Sequence, residues 1–207
     1  MKRTILTIIF LCLFTVIYAQ DDDFIDGSTN PYEQGEFKDG LRHGTWKFFY
    51  ENGKVETEGD YEYGIRIGKW KQYYENGQLL GVSTYENGVI VGRWKYFDKL
   101  GMIRYKGKFV DGLETGKFKF YHDNGQLAEE GVYDNGLRTG QWKAYHENGE
   151  LKSVGSYKNN YEIGLWKYYH DNGQLVEIGR YDNEGEKTGE WKRYFKYNGQ
   201  LKDSFVY

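Results

Sequence analysis

Along this chain, aromatic residues return at a fixed interval between glycines, with charged and polar residues filling the positions in between. The leading column is Trp46, Trp70, Trp94, Phe118, Trp142, Trp166 and Trp191, at intervals of 24 residues until the last, which is 25. A glycine stands two residues before each ring, from Gly44 to Gly189, and a second aromatic three residues after, from Phe49 to Tyr194. One residue after each ring is a lysine: Lys47, Lys71, Lys95, Lys119, Lys143, Lys167 and Lys192. A turn glycine follows (Gly53 to Gly199), then an aliphatic residue two positions on, and a further aromatic column runs from Phe37 to Tyr181. Seven copies in phase define a repeat architecture.

Each copy predicts two strands. Thr45–Glu51 is rich in aromatics, Asn52-Gly53 is a hairpin signal, and Lys54–Glu62 returns. A longer loop, Tyr63–Gly68, leads to the next hairpin. Glycine at this density costs a helix about 1 kcal/mol per residue relative to alanine, and the linkers are too short for parallel crossovers. A two-residue turn at Asn52-Gly53 puts Trp46 opposite Gly59, where its ring could lie flat, and Tyr50 opposite Val55; a three-residue turn with a bulge puts Phe49 there instead. We take the first register. Because Trp46 and Phe49 differ in parity, rings fall on both faces. The expectation is an all-β fold: an elongated single-layer antiparallel β-meander of seven 24-residue hairpin repeats over residues 35–207.

The pattern Y-x-x-G-x-x-x-G-x-W-K-x-Y followed by N-G-x-L resembles the MORN-variant repeat family, which includes bacterial proteins labelled YwqK-type antitoxins. The resemblance covers Gly35 to Tyr207. It implies an extended β-meander used as a scaffold or binding surface and, for antitoxin-labelled members, a toxin-neutralising or immunity-type role.

Residues 1–19 read as a secretory signal peptide: Lys2 and Arg3, an apolar stretch from Ile5 to Tyr18, and Ala19 before the cut. The apolar run is shorter than the roughly 20 residues of a spanning helix. Cys12, the chain's one cysteine, lies inside it, and bulky Phe10 and Leu11 argue against a lipoprotein. Cleavage leaves 26 basic residues against 31 acidic ones, a net charge of −5, and no disulfide. The expected location is therefore the periplasm, the cell surface or the medium, with any envelope association arising through export. Residues 20–34, with Asp21-Asp22-Asp23, Gly27, Asn30 and Pro31, read as an acidic flexible lead-in rather than a calcium loop.

Candidate chemistry is sparse. His122, His146 and His170 are each followed by an acid, but equivalent positions lie two strands apart, about 9.6 Å, too far to share a zinc ion. They read as turn caps. There is no Gly-x-Ser-x-Gly, no phosphate-cradling loop and no distinctive carboxylate pair. We expect no catalysis, no metal and no cofactor. Net negative charge argues against duplex nucleic acid. Two columns remain as candidate partner-binding surfaces. One is the lysines, represented by Lys71, Lys95, Lys119, Lys143 and Lys167. The other is the variable position two residues after each leading ring, where Phe48, Tyr96, Phe120 and Tyr168 could stack on a protein or a glycan. Departures from the repeat fall at Ser83 and Leu100 in the third copy, Phe118 in the fourth, Asn160 in the sixth, and in the lengthened loops of the seventh.

Overall fold

The computed structural model describes residues 30–207. The expected signal segment, and the lead-in as far as residue 29, lie outside the described residues. The rest is β-structure: β1 (Glu33–Lys38), β2 (Leu41–Phe49), β3 (Val55–Glu62), β4 (Ile65–Tyr73), β5 (Leu79–Glu86), β6 (Val89–Phe97), β7 (Ile103–Val110), β8 (Leu113–Glu114), β9 (Gly116–Tyr121), β10 (Leu127–Asp134), β11 (Leu137–Tyr145), β12 (Leu151–Lys158), β13 (Tyr161–Tyr169), β14 (Leu175–Tyr181), β15 (Lys187–Tyr194) and β16 (Leu201–Val206). They form one antiparallel sheet in chain order, with the short β8 paired only to β7. Strands pack mainly on their sheet neighbours, so the sheet is a single layer. Its first strand, β1, is half a repeat and lies ahead of seven hairpins.

Two kinds of tight turn alternate, and here the structure differs from the sequence expectation. The Asn52-Gly53 turn is a three-residue loop: the Gly53 N–H donates to the Tyr50 carbonyl (2.9 Å), and the Tyr50 N–H to the Lys54 carbonyl (2.9 Å). Gly53 takes a positive φ of 77°, while the Asn52 Oδ1 accepts from the Lys54 N–H (3.0 Å). The two-residue turns with positive φ at both centres, the type I′ pattern, are instead Asp39-Gly40, Tyr63-Gly64, Asn87-Gly88, Asp111-Gly112, Asn135-Gly136 and Asn159-Asn160. The long loop expected at Tyr63–Gly68 is therefore a tight turn followed at once by β4. Between the sixth and seventh hairpins the extra residues convert this turn to the other type, with the Asp182 N–H donating to the Glu186 carbonyl (2.9 Å).

The register combines one feature of each expected alternative. Trp46 pairs with Gly59, but a bulge follows Phe48, and Phe49 then pairs with Val55. The leading ring also lies on the other side from that expected. Where β10 meets β11, Glu130 pairs with Lys143 and Val132 with Thr139, so Gly131 faces three residues, Gly140 to Trp142. Gly140, at φ 63°, permits this bulge. The Trp142 ring folds back over Gly131, where any Cβ would fall inside the indole. Gly35, Gly59, Gly107, Gly155 and Gly179 lie under the next ring in the same way, so Gly59 carries Trp70 and not Trp46. Rings laid on bare backbone are what bury a core in one layer: Trp46, Trp70, Phe118, Trp142, Trp166 and Trp191 are at most 3% exposed.

Candidate functional site

In an ordinary repeat the ring is covered from above as well. Around Trp142, Tyr133 and Tyr157 present their edges, at 5.1 Å and 87° and at 6.0 Å and 82°. The Arg138 guanidinium lies 4.2 Å over the ring and donates twice to Glu129, at 2.8 and 3.0 Å. The indole N–H donates to the Val132 carbonyl (3.2 Å). The same cation position holds Arg42 over Trp46, Arg66 over Trp70 and Lys187 over Trp191. These contacts combine ring burial with a cation–π term of about 0.5–2 kcal/mol each.

The two candidate columns fall on opposite faces of the sheet. Phe48, Tyr96, Phe120 and Tyr168 share the tryptophan face and are half-buried. Phe48 lies between Trp46 and Trp70, at 6.0 and 6.5 Å, and Phe120 between Phe118 and Trp142, both at 6.4 Å. Tyr168 stacks on Trp166 at 5.8 Å. Burial pushes its hydroxyl pKa well up, helped by the contact with the Tyr181 hydroxyl. These rings are part of the packed ladder.

The lysines form one row on the other face, alternating with Gln34, Glu58, Val82, Lys106, Glu130, Val154, Ile178 and Ser204. Lys71 donates to Glu58 and Lys119 pairs with Glu130, each at 3.1 Å. The Tyr73 hydroxyl bond, with Lys71, holds the Glu58 carboxyl below its ordinary range; Lys119 does the same for Glu130.

The histidines tie one repeat to the next. The ring Nε2 atoms of His122 and His146 lie 2.9 Å from the Tyr145 and Tyr169 carbonyls. His170 Nε2, facing the lengthened last repeat, is buried without a partner. The turn asparagines act in parallel: Asn124 and Asn148 donate to the Glu147 and Asp171 carbonyls, both at 2.6 Å. Among the described residues, no group of three or more His, Cys, Asp or Glu could hold a metal ion.

The third hairpin, β6 and β7, departs from this scheme on both faces. Ser83 stands where Trp94 needs bare backbone, Ile90 replaces the covering arginine, and Trp94 is the one leading ring that is only half-buried. It leans instead on Tyr105 (4.6 Å), which stacks on Tyr96 at 4.5 Å and 4°. At the turn, Leu100 replaces asparagine, so Asp98 Oδ1 takes the Leu100 and Met102 N–H groups at 2.8 and 2.9 Å. The link to the next repeat is an ion pair from Arg104 to Asp123. On the lysine face, Arg93 pairs with Lys108, Lys95 with Lys106, and Lys106 with Lys119. The columns contained the signal for Tyr105, Lys106 and Lys108: their counterparts, Glu129, Glu130 and Val132, carry no ring and no positive charge.

An open sheet of hairpins, each held to the next by a ring on glycine and by turn side chains on the neighbouring carbonyls, defines a β-hairpin repeat protein. Residues 42–63, 66–87, 114–135, 138–159 and 162–183 each match the MORN repeat variant family. The chain belongs to that family. The unmatched internal stretch coincides with the third hairpin. No curated protein matches the chain.

Proposed function

We propose that this protein is a non-catalytic scaffold that binds another protein, with the third hairpin as the centre of the contact. One observation carries this reading. That hairpin gives up the glycine seat, the covering arginine and the turn asparagine in a single copy, and its leading ring, alone of the seven, falls short of full burial. Local departures of this kind lower consistency within the chain and mark positions used for something outside it. MORN repeats commonly serve as protein-binding or repeat scaffolds, which supports the general role. The signal-like residues 1–19 support export. The resemblance to antitoxin-labelled members supports a toxin-neutralising or immunity-type role, directed at a toxin acting outside the cytoplasm.

The test is cross-linked affinity capture from the native envelope fraction. We expect one stoichiometric protein, lost when Arg93 and Tyr96 are both changed to alanine and retained when Gln141 and Ala144, their counterparts two repeats on, are changed to serine. Failure to recover a stoichiometric protein sinks the reading. The stacked Tyr96–Tyr105 pair beside the half-buried Trp94 favours a second reading, an envelope glycan held by ring stacking. A glycan array tests it, and binding unchanged by alanine at Phe48, Tyr96 and Tyr168 removes it.

A further inference from the structure

Six cations stand together on the lysine face of three neighbouring strands: Arg93 and Lys95 on β6, Lys106 and Lys108 on β7, Lys117 and Lys119 on β9. Arg93, Lys95, Lys108 and Lys117 are exposed. Lys119 reaches Glu130 at the margin and Lys106 lies over the Tyr121 ring at 5.3 Å. Among the described residues, none of the other four has an ion pair. Like charges set directly opposite in a sheet are destabilising. Elsewhere the row avoids the problem by placing Glu58, Val82, Glu130, Val154 or Ile178 between lysines. Only between β6 and β9 does a lysine sit between two lysines.

We infer that this grid is the docking site for an acidic polypeptide segment of the partner, carboxylate against cation. The inference rests on the protein-binding reading above and names the chemistry of its partner. The pairs on each strand are two residues apart, about 6.8 Å. That is also the separation of alternate side chains in an extended peptide lying along the strands, so acids at every second residue meet successive cations. The whole chain is net negative, with 31 acidic and 28 basic residues, so this patch is a local exception that would orient an acidic segment rather than attract any polyanion to any face.

The probe is poly-L-glutamate, titrated against the purified chain at low and at physiological salt. We expect salt-sensitive binding that falls roughly tenfold in Lys95→Gln/Lys106→Gln/Lys108→Gln. A control removing the same number of lysines from ordinary repeats, Lys47→Gln/Lys143→Gln/Lys167→Gln, should lose less than about twofold. The patch variant should also melt at a higher temperature, because a like-charge repulsion is gone, and Lys95→Gln alone should shift both readouts in the same directions. Equal losses in patch and control variants overturn the inference. So does tighter binding to duplex DNA or to phosphatidylserine vesicles than to poly-L-glutamate, or a patch variant that melts lower. Capture of no protein partner with patch-specific poly-L-glutamate binding intact sinks the scaffold reading and leaves the patch chemistry standing. Capture that is insensitive to the patch does the reverse.

Discussion

The fifth hairpin, β11 and β12, and the third, β6 and β7, share a backbone path and a leading tryptophan, yet only one of them buries it. Trp142 is 1% exposed, on Gly131 and under Arg138; Trp94 is only half-buried, with Ser83 and Ile90 at the positions of that glycine and arginine. In a single-layer sheet no opposite layer exists to cover a ring, so burial is assembled from the backbone below, two ring edges at the sides and, in four of the seven copies, a cation on top. Removing the glycine seat and the cation undoes it without disturbing the strand. The same frame can therefore be tight in one copy and open in another, with stability set locally as in other repeat arrays.

The largest test of this contrast is to truncate the two rings. Trp142→Ala should cost about 3–5 kcal/mol, the range for a buried large aromatic, whereas Trp94→Ala should cost less, in proportion to the smaller area it buries. Lys143→Ala, on the wet face, should cost well under about 1 kcal/mol. Denaturant titration decides it, and equal losses at the two tryptophans would show that exposure of Trp94 does not reflect a looser seat.

Exchanging the seats follows in size. Gly131→Ser puts a side chain inside the Trp142 ring and should cost about 1–3 kcal/mol, as overpacking does. Ser83→Gly is the mirror change. It should let Trp94 settle on the backbone, shift its fluorescence to the blue, and leave the protein as stable as before or slightly more so. A red shift would break the analogy between the two hairpins. Next come the turns. Asn148→Leu removes the bond to the Asp171 carbonyl and the turn's own Asx bond, for about 1 kcal/mol net. Leu100→Asn should restore part of that link in the third hairpin, read as a small rise in melting temperature.

The period, the all-β class and the stacked hairpins were legible because glycine and ring columns recur at one spacing, and spacing is what a sequence displays directly. The face each ring uses was legible from parity. The seat of each tryptophan was not: Gly59 pairs with Trp46 in register and yet carries Trp70, because the glycine-permitted bulge swings the ring to the preceding strand. The turn types were hidden for a similar reason. Asn-Gly occurs at both ends of the hairpins, and only its distance from the flanking columns separates a three-residue loop from a type I′ turn. The lysine column was visible as a column, but Phe48, Tyr96, Phe120 and Tyr168 were read one strand at a time. What singles out the third hairpin, Lys106 between Lys95 and Lys119 and Tyr105 against Tyr96, is a cross-strand relation that needs the register.

The smallest expected effect concerns a third version of the covering position. In the sixth hairpin Glu162 stands where Arg138 stands in the fifth, accepting a 3.3 Å hydrogen bond from the Tyr157 hydroxyl. Burial raises the Glu162 carboxyl pKa above its ordinary value, and burial likewise pushes Tyr157 up to about 12. A carboxyl whose folded pKa is raised favours the folded state below its unfolded pKa and loses that contribution as pH climbs through the folded one. Glu162→Gln keeps the acceptor and removes the titration. It should therefore raise the melting temperature slightly at neutral pH, with the gain shrinking to nothing as pH falls below the ordinary glutamate range. A gain that stays constant with pH would place the cost of Glu162 in its shape and not its charge. A loss at neutral pH would mean that the ionised carboxylate is a working part of the ring cover, as the arginines are.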